Sequence, residues 1–472
     1  MGRDIERGHQ VPQLVVQRTG ALADDILDRD GVDWDGGLGH RPRTRAAADH
    51  HQLFVEFRDQ LPLGWRRRFG LLGLNRNRGR GHTEQDGEQK ETRHGRMMAH
   101  AGCRIRPMDS PMVPRKAPRP LDGALYTDAA VFEQEMERIF TRMWVCGGRL
   151  EELDEPGRFV TREIGGESVI AVRTAAGDDL AAFFNVCRHR GSRVVDECAG
   201  TARVFQCPYH AWTYGLDGRL VGAPHMGNDF DAGSAGLVPV RIDAMDGFFF
   251  LSLAADGPPL AEVAADLPDL SRFTPGRLVR GDRHEYEAQA NWKILCENYN
   301  ECYHCAVVHP ELNRVSDYRN GGNLEVGRYY VGGPMTLNDG CNTMSATGRS
   351  NRPDLPAIEV TDRTSVQYYH VYPNLLISLH RDYVVTHTLW PIEAGRTRVV
   401  CEWLFDPEVA AAPDFDPSDA VDFWHLVNRQ DWEVCALTQL GVASRGYRPT
   451  TYEGSEACLQ IFDGWYLDQM GL

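Results

Sequence analysis

Four residues within one short stretch have the types and spacing of a metal-ligand set: Cys187 and His189, then Cys207 and His210. The first pair lies in Cys187-Arg188-His189-Arg190-Gly191 and the second in Cys207-Pro208-Tyr209-His210, with seventeen residues between His189 and Cys207. Two thiolates and two imidazoles from two loops suit a two-iron, two-sulfide cluster in which imidazoles replace thiolates on one iron. The short gaps let each loop reach both irons, each thiolate on the inner iron and each imidazole on the outer one. Gly191 permits the backbone angles of a tight ligand loop, and Pro208 fixes φ in the other. The competing reading is a structural zinc site, which two Cys and two His can also fill. Zinc knuckles, however, pair cysteines with each other two to four residues apart.

A second constellation falls between Asn291 and His309. The run Asn291 to His304 reads as a helix, and at 100° per residue Ile294, Glu297, Asn298, Glu301, His304 and Cys305 share one face. An ordinary amphipathic helix with a wetted polar face would read the same way. His309-Pro310 separates the two readings, because proline biases His309 away from helical geometry and turns the chain back beside His304. Two imidazoles and one carboxylate that leave open positions make a facial triad for non-haem Fe(II).

The carboxylate must come from elsewhere. The segment after Pro417 reads as a helix, with Ser418 as a possible cap and Gly441 as the stop. On a wheel Asp431 falls among Trp424, Val427, Val434 and Cys435, whereas Asp422 and Glu433 fall on the far side. A carboxylate on an apolar stripe is costly unless paired, either with a metal or with a buried arginine.

The elements that must position these groups follow from periodicity. A capped amphipathic helix is predicted from Thr127 to Trp144, with Thr127 or Asp128 as cap, Glu133 to Arg138 on the wet face and Phe132, Met136, Ile139 and Phe140 in the stripe. Strands are predicted over 158–164, 168–173, 180–186 and 248–253, with Gly165-Gly166 and Asp217-Gly218 as turns, giving a small β domain over residues 146–256. Pro258, Pro259, Pro268 and Pro275 mark the passage to residues 257–472. There, strands over 367–372, 375–380, 383–390 and 397–405 predict one antiparallel sheet curved around a helix. The fold class is therefore α+β. Residues 108–145 are expected to pack as a helical segment on the second domain. Residues 1–107, crowded with Arg, Asp, Gly and His, are expected to be a disordered or non-native extension.

Composition limits the function. The 472 residues carry a net charge of −16, which argues against a nucleic-acid partner. Twelve scattered cysteines fit a reducing compartment, and no apolar run approaches membrane-spanning length, so a cytoplasmic protein is expected. No Gly-x-Gly-x-x-Gly follows a strand, so the chain lacks a nicotinamide-nucleotide fingerprint.

The Cys-His pairs resemble the Rieske motif. Ser192 and Tyr209 stand where respiratory Rieske proteins have two further cysteines, so the domain resembles that of a bacterial oxygenase. Residues 115–470 together resemble the Rieske non-haem iron oxygenase α subunits. That resemblance implies a small β Rieske domain and a helix-grip (START-like) catalytic domain. It implies a [2Fe-2S] cluster on Cys187, His189, Cys207 and His210, and mononuclear Fe(II) on His304, His309 and Asp431. It also implies catalytic roles for Asn298 and Glu301, the latter at the acid that bridges to a neighbouring subunit's Rieske histidine. Electrons would come from NAD(P)H through a separate flavin/iron-sulfur reductase, and the usual assembly is a homotrimer. Many ring-hydroxylating members have Asp at the bridging position and one more residue after the position of Glu297. Both departures resemble the branch that acts on choline, carnitine and glycine betaine. The implied reaction uses O2 to hydroxylate or N-demethylate a small quaternary ammonium or N-methylated substrate. The alternatives are an aromatic ring-hydroxylating dioxygenase and a Rieske electron carrier without oxygenase activity. Candidate aromatic faces for an ammonium ion are Tyr329, Tyr330, Tyr368, Tyr369, Tyr372, Trp390 and Trp403. Alternation puts Tyr368 and Tyr372 on one face and Tyr369 on the other.

Overall fold

The computed structural model describes residues 114–174, 179–227, 229–321 and 324–472. The extension expected over residues 1–107 lies outside them.

Helix α1 (Ala129–Glu135) begins where Asp128 accepts the Ala130 N–H at 2.8 Å, and it continues as a π-turn over Met136–Phe140. Ile139 and Phe140 are buried, as the apolar stripe requires. Glu135 is not on a wet face as expected. It is fully buried because Lys293 Nζ (2.5 Å), Trp292 Nε1 (2.8 Å) and the Tyr466 hydroxyl (2.7 Å) all donate to it. Paired and hydrogen-bonded, a buried charge of this kind is tolerated.

The first large sheet contains β1 (Val145–Arg149), β2 (Arg158–Ile164), β3 (Glu167–Arg173), β4 (Leu180–Phe184) and β5 (Ala199–Thr201). A three-stranded sheet follows, from β6 (Phe205–Gln206), β7 (Thr213–Tyr214) and β8 (Leu220–Gly222). The chain then returns to the first sheet with β9 (Pro239–Met245) and β10 (Phe248–Ser252), in the order β1-β10-β9-β4-β3-β2-β5. Gly165 and Gly166 both have positive φ, +59° and +83°, which the tight β2–β3 hairpin requires. The first ligand loop leaves β4, and the second joins β6 to β7.

The second sheet is antiparallel throughout, in the order β11-β17-β16-β15-β14-β13-β12. Its strands are β11 (Val279–Ala288), β12 (Glu325–Val326), β13 (Tyr330–Thr336), β14 (Ser365–Val371), β15 (Leu375–Leu379), β16 (Val384–Glu393) and β17 (Arg396–Phe405). It curls round helical elements: α2 (Trp292–Tyr299), α3 (Cys305–Val308), α4 (Pro310–Val315), α5 (Ser418–Val442) and α6 (Ala457–Met470). Val385, Trp403 and Phe405 of the sheet share a core with Trp424 and Val427 of α5. Among the described residues no helix is long and apolar enough to cross a membrane.

One predicted element differs in a way that matters. The helix expected through His304 stops at Tyr299. The Glu301 carboxylate accepts the backbone N–H groups of Tyr303 and His304, the latter at 3.3 Å, and so takes donors that a continuing helix would use. The chain breaks there and restarts as α3. Glu297 consequently does not share a face with His304. It points into the core, where the Tyr126 hydroxyl donates to it at 2.7 Å. Helix α5 starts at Ser418, whose N–H is accepted at 2.9 Å by Asp416 rather than capped by its own side chain, and it runs one residue past Gly441.

Candidate active site

The two Rieske-type loops close alike. Gly191 N donates to Cys187 O at 3.0 Å, and Ala211 N donates to Cys207 O at 3.1 Å. Both closing residues have positive φ, +78° at Gly191 and +57° at Ala211. The cysteines are buried whereas His189 is exposed and His210 half-buried, and the two imidazole rings lie 4.6 Å apart. This is the inner-thiolate, outer-imidazole arrangement expected from the spacing. Nδ1 of His210 is buried without a hydrogen-bond partner, a free lone pair that a metal would fill. The donor set and its geometry therefore fit a [2Fe-2S] cluster.

Residues that sequence reasoning did not single out support the loops. The Tyr214 hydroxyl accepts the Arg188 N–H at 3.0 Å, so its own proton points to Cys187 Sγ at 3.3 Å. Trp212 stacks on His189 with ring centroids 4.8 Å apart.

His304, His309 and Asp431 come together although 122 residues separate the last two. Their candidate ligand atoms all lie within 4.8 Å of one another. Asp431 Oδ1 is 2.8 Å from His309 Nε2 and 3.4 Å from His304 Nε2. His309 occupies the junction of α3 and α4, with Pro310 at the first position of α4, as the His-Pro pair predicts. Asp431 is largely buried, and Asp422 and Glu433 are exposed, as the wheel predicts.

The other nitrogen of each imidazole is already engaged. His304 Nδ1 meets Glu301 Oε1 at 2.5 Å, and His309 Nδ1 meets Gln430 Oε1 at 2.7 Å. Each Nδ1 therefore donates to its acceptor, and both Nε2 atoms, whose lone pairs a metal would take, converge on Asp431. Two lone pairs and a carboxylate facing one point, each imidazole oriented by an acceptor, are a fit for a divalent iron. Without a metal each Nε2 instead donates a proton to Asp431, and the Glu301 and Asp431 carboxylates favour positive charge between them. Burial opposes charge on His304, but hydrogen bonds with Asp431 and Glu301 outweigh it and raise its pKa to about 10. Burial likewise opposes the Asp431 charge, and the hydrogen bonds from His304 and His309 prevail, holding it well below the usual carboxylate range. Gln430 was not legible from the sequence, where a glutamine beside a helical aspartate carries no signal.

The triad opens onto a cavity of about 390 Å³, within the range of small-molecule sites. Asn298 lines it, with its amide 3.5 Å from His304 Nε2. Of the seven strand and loop aromatics proposed as cation-binding faces, only Tyr368 reaches it. Tyr369 faces away and packs on Tyr330, Tyr372 stacks on Trp465, and Trp390 and Trp403 are core residues. Tyr329 packs at the edge of the core cluster that holds Tyr369. Helices supply the missing aromatics instead. Tyr299 of α2 and Trp424 of α5 meet Tyr368 edge to face, at 6.1 and 6.4 Å, and Trp432 and Tyr318 add two further rings to the lining. His387 also lines the cavity and is kept neutral, because burial lowers its pKa to about 4.

Residues 143–241 match the family described as Rieske [2Fe-2S] domain, and residues 275–472 match that described as ring hydroxylating alpha subunit (catalytic domain). The glycine betaine monooxygenase oxygenase subunit of Pseudomonas aeruginosa (strain PAO1) is 31% identical over 382 residues, 74% of this chain and 89% of its own. The carnitine monooxygenase oxygenase subunit of Escherichia coli (strain K12) is 37% identical over 342 residues, 70% of this chain and 85% of its own. A crystal structure of the quaternary ammonium Rieske monooxygenase CntA is similar with a TM-score of 0.63 at 24% identity, covering 74% of this chain and 95% of that one.

Proposed function

The chain belongs to the Rieske non-haem iron oxygenase α subunits, and from that premise we propose that it oxidises an N-methyl group of a small quaternary ammonium or N-methylated compound. The observation that carries this reading is the cavity itself, in which the His304–His309–Asp431 triad sits with the aromatic rings of Tyr299, Tyr368, Trp424 and Trp432. A quaternary nitrogen offers no hydrogen-bond donor, so it is recognised by aromatic faces and nearby negative charge. Among the described residues the only arginine in the lining, Arg319, is paired with Asp317 at 2.7 Å and adds little repulsion. The relatives named for glycine betaine and carnitine support the same substrate class.

When bound, the cluster supplies electrons one at a time and the mononuclear iron supplies dioxygen activation. Cys187, His189, Cys207 and His210 hold the first group; His304, His309 and Asp431 hold the second. Glu301 holds the Nδ1 proton of His304, and Gln430 holds that of His309, so each ring presents Nε2. Asn298 stands beside His304 Nε2 and can orient a group bound there. The aromatic walls exclude water and fix the cation. Hydroxylation of an N-methyl group gives a carbinolamine, which collapses to the amine and formaldehyde.

A separate reductase must deliver the electrons, as for the oxygenase subunits to which the chain is similar. The finer reading is a cytoplasmic homotrimer in which Glu301 links His304 to a Rieske histidine of the neighbouring subunit. What supports the link is that Glu301 Oε1 already engages His304 Nδ1 at 2.5 Å, the inner half of such a bridge.

Oxygen uptake with a surrogate reductase tests the substrate class. Betaines, choline and carnitine are compared with benzoate-like and polycyclic rings. Uptake with stoichiometric formaldehyde from an N-methyl compound is expected. A cis-dihydrodiol from a ring, with no response to any amine, overturns the reading.

A further inference from the structure

Three thiols line the catalytic cavity, and two of them bracket an iron-ligand candidate: Cys302, Cys305 and, further round, Cys458. The Sγ atoms of Cys302 and Cys305 are 2.8 Å apart, within about 1 Å of the ~2.05 Å of a disulfide bond. Cys305 Sγ also lies 3.8 Å from His304 Nε2, and Cys302 Sγ lies 3.5 Å from Met335 Sδ. The local fold holds the thiols together. Glu301 breaks the helix ahead of Cys302, and Cys305 N donates to Cys302 O at 3.0 Å as α3 begins. A continuous helix would impose no such turn.

The two sulfurs differ in access. Cys302 is half-buried, whereas Cys305 is only 2% exposed. A small oxidant entering the cavity meets Cys302 first, with Cys305 already behind it. A more accessible attacking thiol backed by a second thiol is the arrangement of a reversible redox pair.

We propose that Cys302 and Cys305 are a reversible modification site whose reactant is hydrogen peroxide, and that their disulfide forms inside the catalytic cavity. The source of the oxidant rests on the functional reading above: dioxygen reduced by two electrons and two protons without attacking substrate leaves hydrogen peroxide in this cavity. Cys302 sulfur attacks one peroxide oxygen and breaks the O–O bond, giving a sulfenic acid and water. Cys305 sulfur then displaces hydroxide from Cys302, which leaves as a second water with the thiol proton. In sum, two thiols and one peroxide give one disulfide and two waters. The pair thus consumes peroxide beside His304 before it can oxidise the imidazole irreversibly, and thiol reductants reset it.

The test treats the metal-loaded protein with one equivalent of hydrogen peroxide per chain, then unfolds it, alkylates the free thiols and maps them by mass spectrometry. The exposed thiol Cys198 serves as the internal comparison. The expected result is a loss of two alkylatable thiols, a peptide spanning both residues lighter by two hydrogens, and full reversal by dithiothreitol. In Cys305→Ser, Cys302 is expected to advance to sulfinic acid at the same dose, because no partner resolves it. In Cys302→Ser, Cys305 is expected to stay alkylatable. Oxidation of Cys198 with Cys302 and Cys305 still alkylatable overturns the proposal, as does sulfinic acid at Cys302 in the unsubstituted protein. Because peroxide is added directly, these outcomes do not depend on which substrate the enzyme turns over.

Discussion

Gln430 Oε1 accepts the Nδ1 proton of His309 at 2.7 Å, from the position next to Asp431, which faces the opposite nitrogen of the same ring at 2.8 Å. One turn of α5 thus grips both edges of one imidazole and sets its tautomer. Gln430→Leu should free Nδ1 and let the ring turn. Loss of such an outer partner typically lowers metal affinity roughly 10- to 100-fold. Iron retention after dialysis against a graded chelator series measures it, and unchanged retention would remove Gln430 from the site.

Asp431 and Asp422 lie nine residues apart on the same helix, one turned to the triad and one exposed. Asp431→Ala should lower iron from about three to about two per chain, the difference between a cluster plus one iron and a cluster alone. It should abolish turnover and leave the cluster absorption intact. Asp422→Ala should change neither. Metal analysis with visible spectra decides between them.

Glu301→Gln removes the negative charge that holds the Nδ1 proton of His304. Both metal groups should be retained, while electron delivery to the mononuclear site slows. Single-turnover kinetics with the pre-reduced protein reads this directly. A normal rate would falsify the bridging role.

The Tyr214 hydroxyl points its proton at Cys187 Sγ. A hydrogen bond to a cluster thiolate stabilises the added electron, so Tyr214→Phe should lower the reduction potential. Redox titration followed by visible spectra should show the shift without a change in cluster content.

Asp463 is fully buried in α6, beneath Tyr452, and burial pushes its pKa up to about 7 against an ordinary value near 3.8. The folded chain keeps this proton where the unfolded chain loses it. The favourable contribution is therefore complete below about pH 4 and is lost as pH rises toward 7. Asp463→Asn should flatten that slope, with a gain on the order of 4 kcal/mol at pH 8 relative to the unsubstituted chain. Calorimetric Tm values at pH 5 and pH 8 test it; parallel pH slopes for both proteins would exclude the effect.

Much of the site was legible because its chemistry is local in the chain. Cys187-x-His189, Cys207-x-x-His210 and His304 to His309 each lie within one loop or turn, where spacing alone limits what two side chains can reach together. Asp431 was legible for a different reason: a charge on an apolar helical stripe needs a partner, and the wheel separates it from Asp422 and Glu433. Tertiary structure decided the rest. It ended α2 at Tyr299, since a helical periodicity cannot register that the Glu301 carboxylate outbids the ladder for the N–H groups of Tyr303 and His304. It buried Glu135 on a face read as wet, because its three partners come from residues 292, 293 and 466, far along the chain. It also chose which aromatics surround the cavity. Alternation assigns a strand residue to one of two faces, but only the curl of the sheet against α2 and α5 determines that Tyr368 meets Tyr299 and Trp424 while Tyr372 is spent on Trp465.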